Sequence, residues 1–245
     1  MHSKWLLFVL VIFISCSDQE KESDVSETIL SDFLQLNTNK ELDEVIACAG
    51  SDRDFNSVSI FYFPEAGSFD FRYYETDDVN VNPDDFSNYK LKNLPINGVF
   101  GNKLSAFKRE EQHEAWGIVT YQTNGKLHKS NPIRLKHLSE LTDYNSNITI
   151  DNSTSLSPKF TWQASTGNTD AIYFQVLLEE NDNFISGTYT FDKFFRYYDT
   201  SNVVLTINTT TPPELEVANN YQFIVLAVSL DNWVNSYSYT NFTAE

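Results

Sequence analysis

The sequence predicts an all-β protein made of two tandem β-sandwiches. The chain has 245 residues, and 15% of them are aromatic, with 13 Tyr and 19 Phe. Aromatic and β-branched residues favour strands. Short polar clusters separate the apolar runs, and 24 Asn accompany only 8 Gly; asparagine tolerates the left-handed backbone of tight turns. We divide the chain into halves at 40–137 and 138–245, each close to the ~100 residues of one sandwich.

Residues 1–15 are predicted to be a signal peptide. One Lys precedes ten apolar residues at 5–14, which is too short for a bilayer core that needs about 20. The small Ser15 and then Cys16 follow. This pattern resembles a bacterial lipoprotein signal, although Phe13 replaces the usual Leu. The resemblance implies acylation of Cys16, as with palmitate, and attachment to a membrane through the N-terminal lipid. The alternative is a plain secreted protein whose cleavage site contains a Cys.

Residues 16–39 are predicted to be the lipidated Cys and an acidic tether. The run Ser17-Asp18-Gln19-Glu20 resembles the export tag of surface lipoproteins in Bacteroidetes-type bacteria, which implies a place on the outer face of the outer membrane. An ordinary solvated tether is the alternative. The apolar spacing from Ile29 to Leu34 fits a short helix or a first strand.

Three local patterns describe the first half. The apolar runs 59–63 and 115–121 indicate strands. Asn124-Gly125 is a strong hairpin signal and predicts a last strand near 131–135. Cys48 lies in an apolar run and would lack a disulfide partner if Cys16 is acylated, so a buried inert thiol is favoured over a nucleophile.

A short stretch of similar sequence, which we call the echo, occurs once in each half. Residues 71–76 read FRYYET and residues 195–200 read FRYYDT. Each segment follows a strand-like apolar run and precedes a Val, which favours duplication over chance.

The second half shows strand patterns without long helical patterns between them, which predicts antiparallel sheets. Asn and Asp clusters divide it into seven strands, at about 147–151, 158–164, 171–179, 186–191, 202–208, 221–229 and 236–243.

Residues 147–243 resemble a fibronectin type III domain of the immunoglobulin-like class. Pro158–Trp162 looks like strand B, whose Trp fills the centre of the sandwich. Leu215–Val228 looks like the E–F turn and strand F. Tyr221 stands six residues after the Leu, as in that family, but Asn219-Asn220 replaces the common Pro-Gly. The resemblance implies that the Tyr221 hydroxyl bonds back to the turn backbone.

The first half fits this family less well. Residues 115–121 can serve as strand F, with Trp116 in place of the corner tyrosine.

Charge disfavours some partners. The formal net charge is −17, which repels phosphate backbones and makes nucleic-acid binding unlikely. Residues 40–137 hold 12 basic and 15 acidic residues, whereas residues 138–245 hold 3 and 13. The second half therefore carries most of the negative field and disfavours acidic partners.

The sequence offers little catalytic chemistry, and we expect no enzyme and no cofactor. His113, His128 and His137 lack metal-ligand spacing, and no nucleophile elbow, P-loop or dinucleotide fingerprint occurs. The acidic stretch Asp77–Asp85 offers oxygen ligands for calcium but lacks the EF-hand order. A solvated loop is favoured there, and no metal site is assigned.

One loop of the second half is the tentative ligand-binding site: Asp231, Asn232, Trp233 and Asn235. An aromatic ring among hydrogen-bonding side chains at a loop tip suits a sugar or protein contact. The hypothesis requires Trp233 to be partly exposed. The alternative is a hairpin whose Trp folds back over the sandwich edge.

These patterns favour a lipid-anchored cell-envelope protein with a non-catalytic binding or adhesion function towards protein or glycan. A structural accessory subunit of an envelope complex is the second interpretation. A polysaccharide hydrolase with an unrecognised carboxylate pair is the third.

Overall fold

The computed structural model describes residues 27–165, 167 and 169–245. The predicted signal peptide and Cys16, the predicted acylation site, lie outside the described residues. Within that part of the chain, no helix combines the length and the apolar character needed to cross a bilayer.

Among the described residues, one α-helix precedes the first half, which contains ten strands. Helix α1 spans Leu30–Leu36, which decides between the helix and the strand expected there. The strands are β1 (Leu42–Val45), β2 (Ala47–Ser51), β3 (Val58–Tyr62), β4 (Phe69–Thr76), β5 (Tyr89–Lys92), β6 (Ile96–Val99), β7 (Leu104–Arg109), β8 (Trp116–Thr123), β9 (Lys126–Ser130) and β10 (Ile133–Arg134).

The second half contains nine strands among its described residues. They overlap all seven predicted strands and add β11 and β16. The strands are β11 (Asp143–Asn145), β12 (Ile148–Asp151), β13 (Lys159–Trp162), β14 (Asp170–Glu179), β15 (Phe184–Thr190), β16 (Phe194–Arg196), β17 (Val203–Thr206), β18 (Asn220–Ser229) and β19 (Val234–Thr243).

The strands form four sheets, and the predicted all-β class with sandwich architecture is confirmed. Sheet A has the order β1-β9-β8-β4-β5, with β10 on β8, and sheet B has the order β2-β3-β7-β6. Sheet C has the order β11-β19-β18-β14-β15-β17, and sheet D has the order β12-β13-β16. Both halves start with the same pairing pattern. The first strand pairs in parallel with the last long strand, β1 with β9 and β11 with β19. The second strand pairs antiparallel with the third, β2 with β3 and β12 with β13.

The four sheets stack face to face in the order A, B, C, D. One core lies between A and B, and another lies between C and D. A third apolar cluster, which we call the central core, joins B to C through residues such as Phe61, Ala106, Phe174 and Ile224. The sandwiches therefore lie side by side rather than end to end. The central core joins the two sandwiches into one packed unit. The domain limits 40–137 and 138–245 stay a prediction.

Helix α1 covers the outer face of sheet A. Leu30 and Phe33 are one turn apart and both are buried. They pack against Tyr74, Tyr89 and Ile118. This contact explains why β8 is buried on both of its faces.

The sequence echo does not mark equivalent positions. Residues 71–76 lie inside β4, which pairs with both β5 and β8. Its counterpart begins at the end of the short β16 and then turns, because Tyr198 has φ 70°. The interpretation of the echo as a repeated element is wrong; the similarity of the halves lies in their strand order.

The Asn124-Gly125 hairpin is confirmed. Thr123 pairs with Lys126, and the two central residues have φ 51° and 77°, as a type I′ turn requires. The strand directly after the turn is β9, and the last strand of this half, β10, lies within the predicted 131–135.

The tyrosine corner of the second half is also confirmed. The Glu216 N–H donates to the Tyr221 hydroxyl over 2.9 Å, and Trp162 is buried in the core between C and D. Trp116 does not play the same part in the first half. Its indole N–H donates to the Val79 carbonyl over 3.1 Å, in the connection between β4 and β5, so the predicted replacement is wrong.

The Glu114 carboxylate binds the chain segment that connects the first half to the second. Glu114 accepts hydrogen bonds from the Ser139 amide and hydroxyl, both at 2.7 Å, and pairs with Arg134 at 2.9 Å. Burial alone would raise the pKa of Glu114, but these contacts outweigh it and lower the pKa.

Candidate functional site

The predicted binding loop, residues 231–235, connects the two halves and packs against the first core; we call this contact the joint. Trp233 has no exposed surface and belongs to the core between sheets A and B, although its chain segment comes from the second half. The exposed apolar residue of this loop is Leu230, at 91%. A ring without accessible surface cannot stack on a ligand, so the hypothesis that Trp233 contacts a sugar or protein is wrong.

The neighbours of Trp233 hold it in place. The Asn232 carbonyl accepts from the Ala49 amide, and the Asp231 carbonyl accepts from the Arg134 amide, both at 2.9 Å. The Asp231 side chain pairs with Lys136 at 3.0 Å.

Side-chain amides complete the joint. The Asn232 amide donates to the Pro132 carbonyl over 3.0 Å. Asn235 is 5% exposed and donates to Asp170 over 2.8 Å. The side chains of Asp231, Asn232 and Asn235 are therefore engaged within the protein, while the Trp233 indole N–H and the Asn235 side-chain oxygen are buried without a hydrogen-bond partner among the described residues.

The acidic stretch Asp77–Asp85 binds its own turns. Asp77 pairs with Lys90, and Asp78 accepts from the Asn80 amide over 2.8 Å. Asp85 accepts from the Ser87 amide over 3.1 Å at the start of a 3₁₀ turn. The carboxylates are directed to separate partners, as expected of a solvated loop.

A buried ion pair lies at the end of the first core. Arg109 and Glu75 have side chains that are 0% and 1% exposed, and Arg109 binds both carboxylate oxygens, at 2.6 and 2.8 Å. Among the described residues, Glu75, Glu111 and His113 are the one group of three such side chains close enough to share a metal. Arg109 already occupies the Glu75 carboxylate and adds positive charge beside it. The group is therefore a structural ion-pair network.

The free thiol of Cys48 is partly buried in β2. Burial raises its pKa to about 12. Because the thiolate is the reactive form, this agrees with the inert thiol expected from the sequence.

A groove of about 760 Å³ with a polar lining lies between the sandwiches, and we call it the tyrosine groove. It lies where one end of the central core opens to solvent. Its lining comes from both halves: Asp52, Arg53, Ser59, Phe61, Gly98, Val99, Phe100, Gly101, Asn102, Tyr144, Leu178, Asn181, Asp182, Asn183, Gln222, Ile224, Tyr237 and Tyr239.

Three tyrosines and one arginine form the centre of the groove. Tyr144 and Tyr237 are register partners on β11 and β19, and their rings stack with centroids 5.1 Å apart. The exposed Arg53 lies with its guanidinium carbon 5.5 Å from the Tyr144 centroid and 4.9 Å from that of Tyr239. Cations are attracted to aromatic faces at such distances.

Hydrogen bonds and burial fix the state of these groups. The Tyr144 hydroxyl donates to the Ser51 carbonyl over 2.9 Å. Burial raises the pKa of Tyr144 to about 12 and also raises the pKa of Tyr237. Both phenols are therefore neutral donors and acceptors at pH 7. A hydrogen bond with Tyr239 raises the pKa of Arg53, which stays charged.

Two hairpin tips close one wall of the groove. Residues 100–102 all have positive φ, at 51°, 62° and 59°. A Cβ on Gly101 would lie 2.6 Å from both the Asp182 carbonyl oxygen and the Phe184 nitrogen. Only glycine allows this approach, so the tip between β6 and β7 rests directly on the tip between β14 and β15.

Sequence reasoning missed the groove because its residues are distant along the chain. One signal was present: Tyr237 and Tyr239 alternate in the last strand and so face the same side of the sheet. The partner side chains depend on the contact between sheets B and C, which residue patterns within either half do not reveal.

Comparisons with known proteins identify no family. No protein-family model matches the chain, and no curated protein sequence shows significant similarity to it. Among solved structures, the crystal structure of chicken CNTN1 FN1-FN3 domains is similar at a TM-score of 0.31 and 9% identity, over 84% of this chain and 68% of that chain. The fold assignment therefore rests on the strand order and the tyrosine corner described above.

Proposed function

We propose that this protein is a binding or adhesion module that recognises a segment of another protein in the tyrosine groove. The observation that carries the proposal is the Arg53 guanidinium lying over Tyr144 and Tyr239 in an open groove. Tyrosine and arginine, with tryptophan, are enriched among the residues that supply most of the energy in protein–protein recognition.

The composition of the groove supports a peptide-like partner. Asn102, Asn181, Asn183 and Gln222 surround the aromatic centre, and amides can pair with the N–H and C=O groups of an extended chain. Tyrosine with Asn and Gly is also the mixture that antibody loops use against protein surfaces.

Charge narrows the partner to a neutral or basic segment. The Asp52 carboxylate is engaged by Ser57, Ser59 and Lys108, while Asp182 is exposed on the wall. The protein has a net charge of −17. Lysine or arginine side chains in the partner would therefore be attracted to Asp182 on the wall, whereas Arg53 at the centre favours neutral or aromatic groups.

The proposal includes a place at the cell envelope. The sequence around Cys16 supports acylation and attachment to the outer membrane, with the folded part facing outwards. Replacing Cys16 by Ala is expected to release the protein from the membrane fraction or leave its signal uncleaved. A cleaved Cys16→Ala protein that still fractionates with membranes would contradict the anchor but not the groove.

Peptide selection tests the groove directly. A displayed library of random peptides is selected on the wild-type protein and counter-selected on Arg53→Ala and Tyr239→Ala. We expect enriched peptides with basic or aromatic residues, and a loss of at least about tenfold in affinity for each variant, which is the effect of removing one interface hot spot. Phe191→Ala is the control, because Phe191 is 66% exposed and does not line the groove.

Two outcomes would contradict the proposal. In one, selected peptides bind both groove variants as tightly as the wild type. In the other, the groove variants lose binding to polysaccharides while no peptide is enriched, which would identify a glycan site instead.

A further inference from the structure

A second cavity lies within the second sandwich, at the side of sheet C that carries β15 and β17. Its volume is about 520 Å³, within the usual range for small-molecule sites. Residues of β15, β17 and the segments after β16 and β17 line it. None of its lining residues belongs to the tyrosine groove.

The strand face that lines this cavity is polar. Ser186 and Thr188 on β15 are each 3% exposed, and Thr206 on β17 is the register partner of Thr188. A sandwich interior is normally filled with apolar side chains. The Thr206 hydroxyl is fully engaged, because it donates to the Gly187 carbonyl over 3.2 Å and accepts from the Asn208 backbone amide over 3.1 Å. The buried hydroxyls of Ser186 and Thr188 line the open space, where a polar occupant can bond them.

These hydroxyls keep hydrogen-bonding capacity for a ligand. Ser186 accepts from the Asn208 amide over 3.1 Å, and within the described part of the chain its own hydrogen has no acceptor. Thr188 donates to Gln175 over 3.3 Å, which is a long bond. Each hydroxyl can both donate and accept, as a ligand with hydroxyl groups of its own requires.

The ring of Tyr198, which we call the aromatic lip, lies at the opening of the cavity, and the Tyr198 backbone is strained. Tyr198 is 43% exposed and has φ 70°, a conformation that side chains larger than glycine rarely adopt. Its hydroxyl donates to the Pro212 carbonyl over 2.7 Å, and its ring meets Tyr197 edge to face at 4.8 Å. Strained residues held in this way are often found at ligand clamps.

We propose that this cavity binds a neutral saccharide unit, whose hydroxyl groups bond Ser186 and Thr188 and whose apolar face lies on the Tyr198 ring. The lining contains no Asp, Glu, Lys, Arg or His, so nothing there compensates an ionic ligand. A sugar ring combines hydroxyl edges with a C–H face and matches both features of the cavity. This site is separate from the peptide groove and does not depend on it.

Saturation-transfer NMR and calorimetry on the intact protein provide the test. The probes are the methyl glycosides of glucose, galactose, mannose and N-acetylglucosamine at millimolar concentration. We expect at least one of them to bind. Thr188→Val keeps the shape and removes the hydroxyl, and it should weaken binding about tenfold, as the loss of one buried hydrogen bond does.

Matched variants separate binding from folding. Thr120 on β8 is also 0% exposed, its hydroxyl has no partner among the described residues, and it does not line the cavity, so Thr120→Val should leave sugar affinity unchanged. Tyr198→Gly removes the lip and relaxes the positive φ, so it should lose sugar binding while the protein stays folded. Arg53→Ala should bind sugars normally.

Three results would overturn the saccharide site. None of the four glycosides binds; or Thr188→Val and Tyr198→Gly bind as the wild type does; or Arg53→Ala removes sugar binding, which would place the sugar in the tyrosine groove. Loss of peptide binding alone would affect only the proposed function.

Discussion

Replacing Trp233 by Ala should destabilise the protein by about 4 kcal/mol, in the range for a core aromatic replaced by Ala. The ring has no exposed surface and packs in the first core with Ala49, Ile133 and Leu135. The hydrogen bonds from the Ala49 amide to the Asn232 carbonyl and from the Arg134 amide to the Asp231 carbonyl remain in the variant. They hold the loop in place, so the surrounding residues cannot close the cavity completely.

Replacing Trp233 by Phe measures how much of the stability loss comes from ring volume. The Trp233 indole N–H has no hydrogen-bond partner in the described structure. Trp233→Phe therefore removes ring volume without breaking a hydrogen bond, and should cost less than about 2 kcal/mol. The order of stability should be wild type, then Phe, then Ala.

Guanidinium unfolding and amide exchange measure both effects. Because Trp233 belongs to the second half but fills the first core, the Ala variant should speed exchange of the amides of β3 and β8 more than those of β13. An Ala variant with an unchanged unfolding midpoint would refute this account. So would faster exchange confined to β13.

Three further predictions concern stability. Tyr221→Phe should cost about 1–2 kcal/mol in denaturant unfolding, because the Glu216 N–H loses its acceptor; an unchanged midpoint would show that the corner bond contributes nothing. Trp162→Ala should cost about 3–5 kcal/mol, measured in the same way, and a smaller effect than that of Tyr221→Phe would contradict its place in the core. The pKa of Glu114 is lower in the folded protein than its ordinary value of 4.5, so its contribution to stability is complete above pH 4.5 and is lost as the pH falls through the folded pKa. Glu114→Gln should therefore lose stability at pH 7 and show a smaller further loss on acidification, whereas a parallel pH profile would be inconsistent with this linkage.

Local patterns predicted the elements well where one physical cause decided them. Asn124-Gly125 fixed a hairpin because both positions need positive φ. The spacing from Leu215 to Tyr221 resembles that of a fibronectin type III domain and so implied the corner, and the Tyr221 hydroxyl accepts from the nearby Glu216 amide. The short β16 was missed because its three residues are too few to show a period.

The site was not predictable in the same way. The tyrosine groove requires Arg53 of one half to meet Tyr239 of the other, and no spacing within one half encodes that contact. The loop at Trp233 looked like an exposed tip because the corresponding loop of an isolated sandwich ends in solvent.

The sequence nevertheless contains a sign that the sandwiches lie side by side. Residues 173–178 of β14 and 223–228 of β18 are buried without alternation, and both are nearly continuous apolar runs in the sequence. A sheet with one solvated face shows alternation, whereas continuous apolar strands indicate a sheet covered on both faces. Sheet C needs a second cover, and sheet B supplies it. Once B lies against C, the turn between β18 and β19 reaches the edge of the first core. Its large apolar ring at Trp233 can then be buried there, so the continuous strands and the buried tryptophan have the same physical cause.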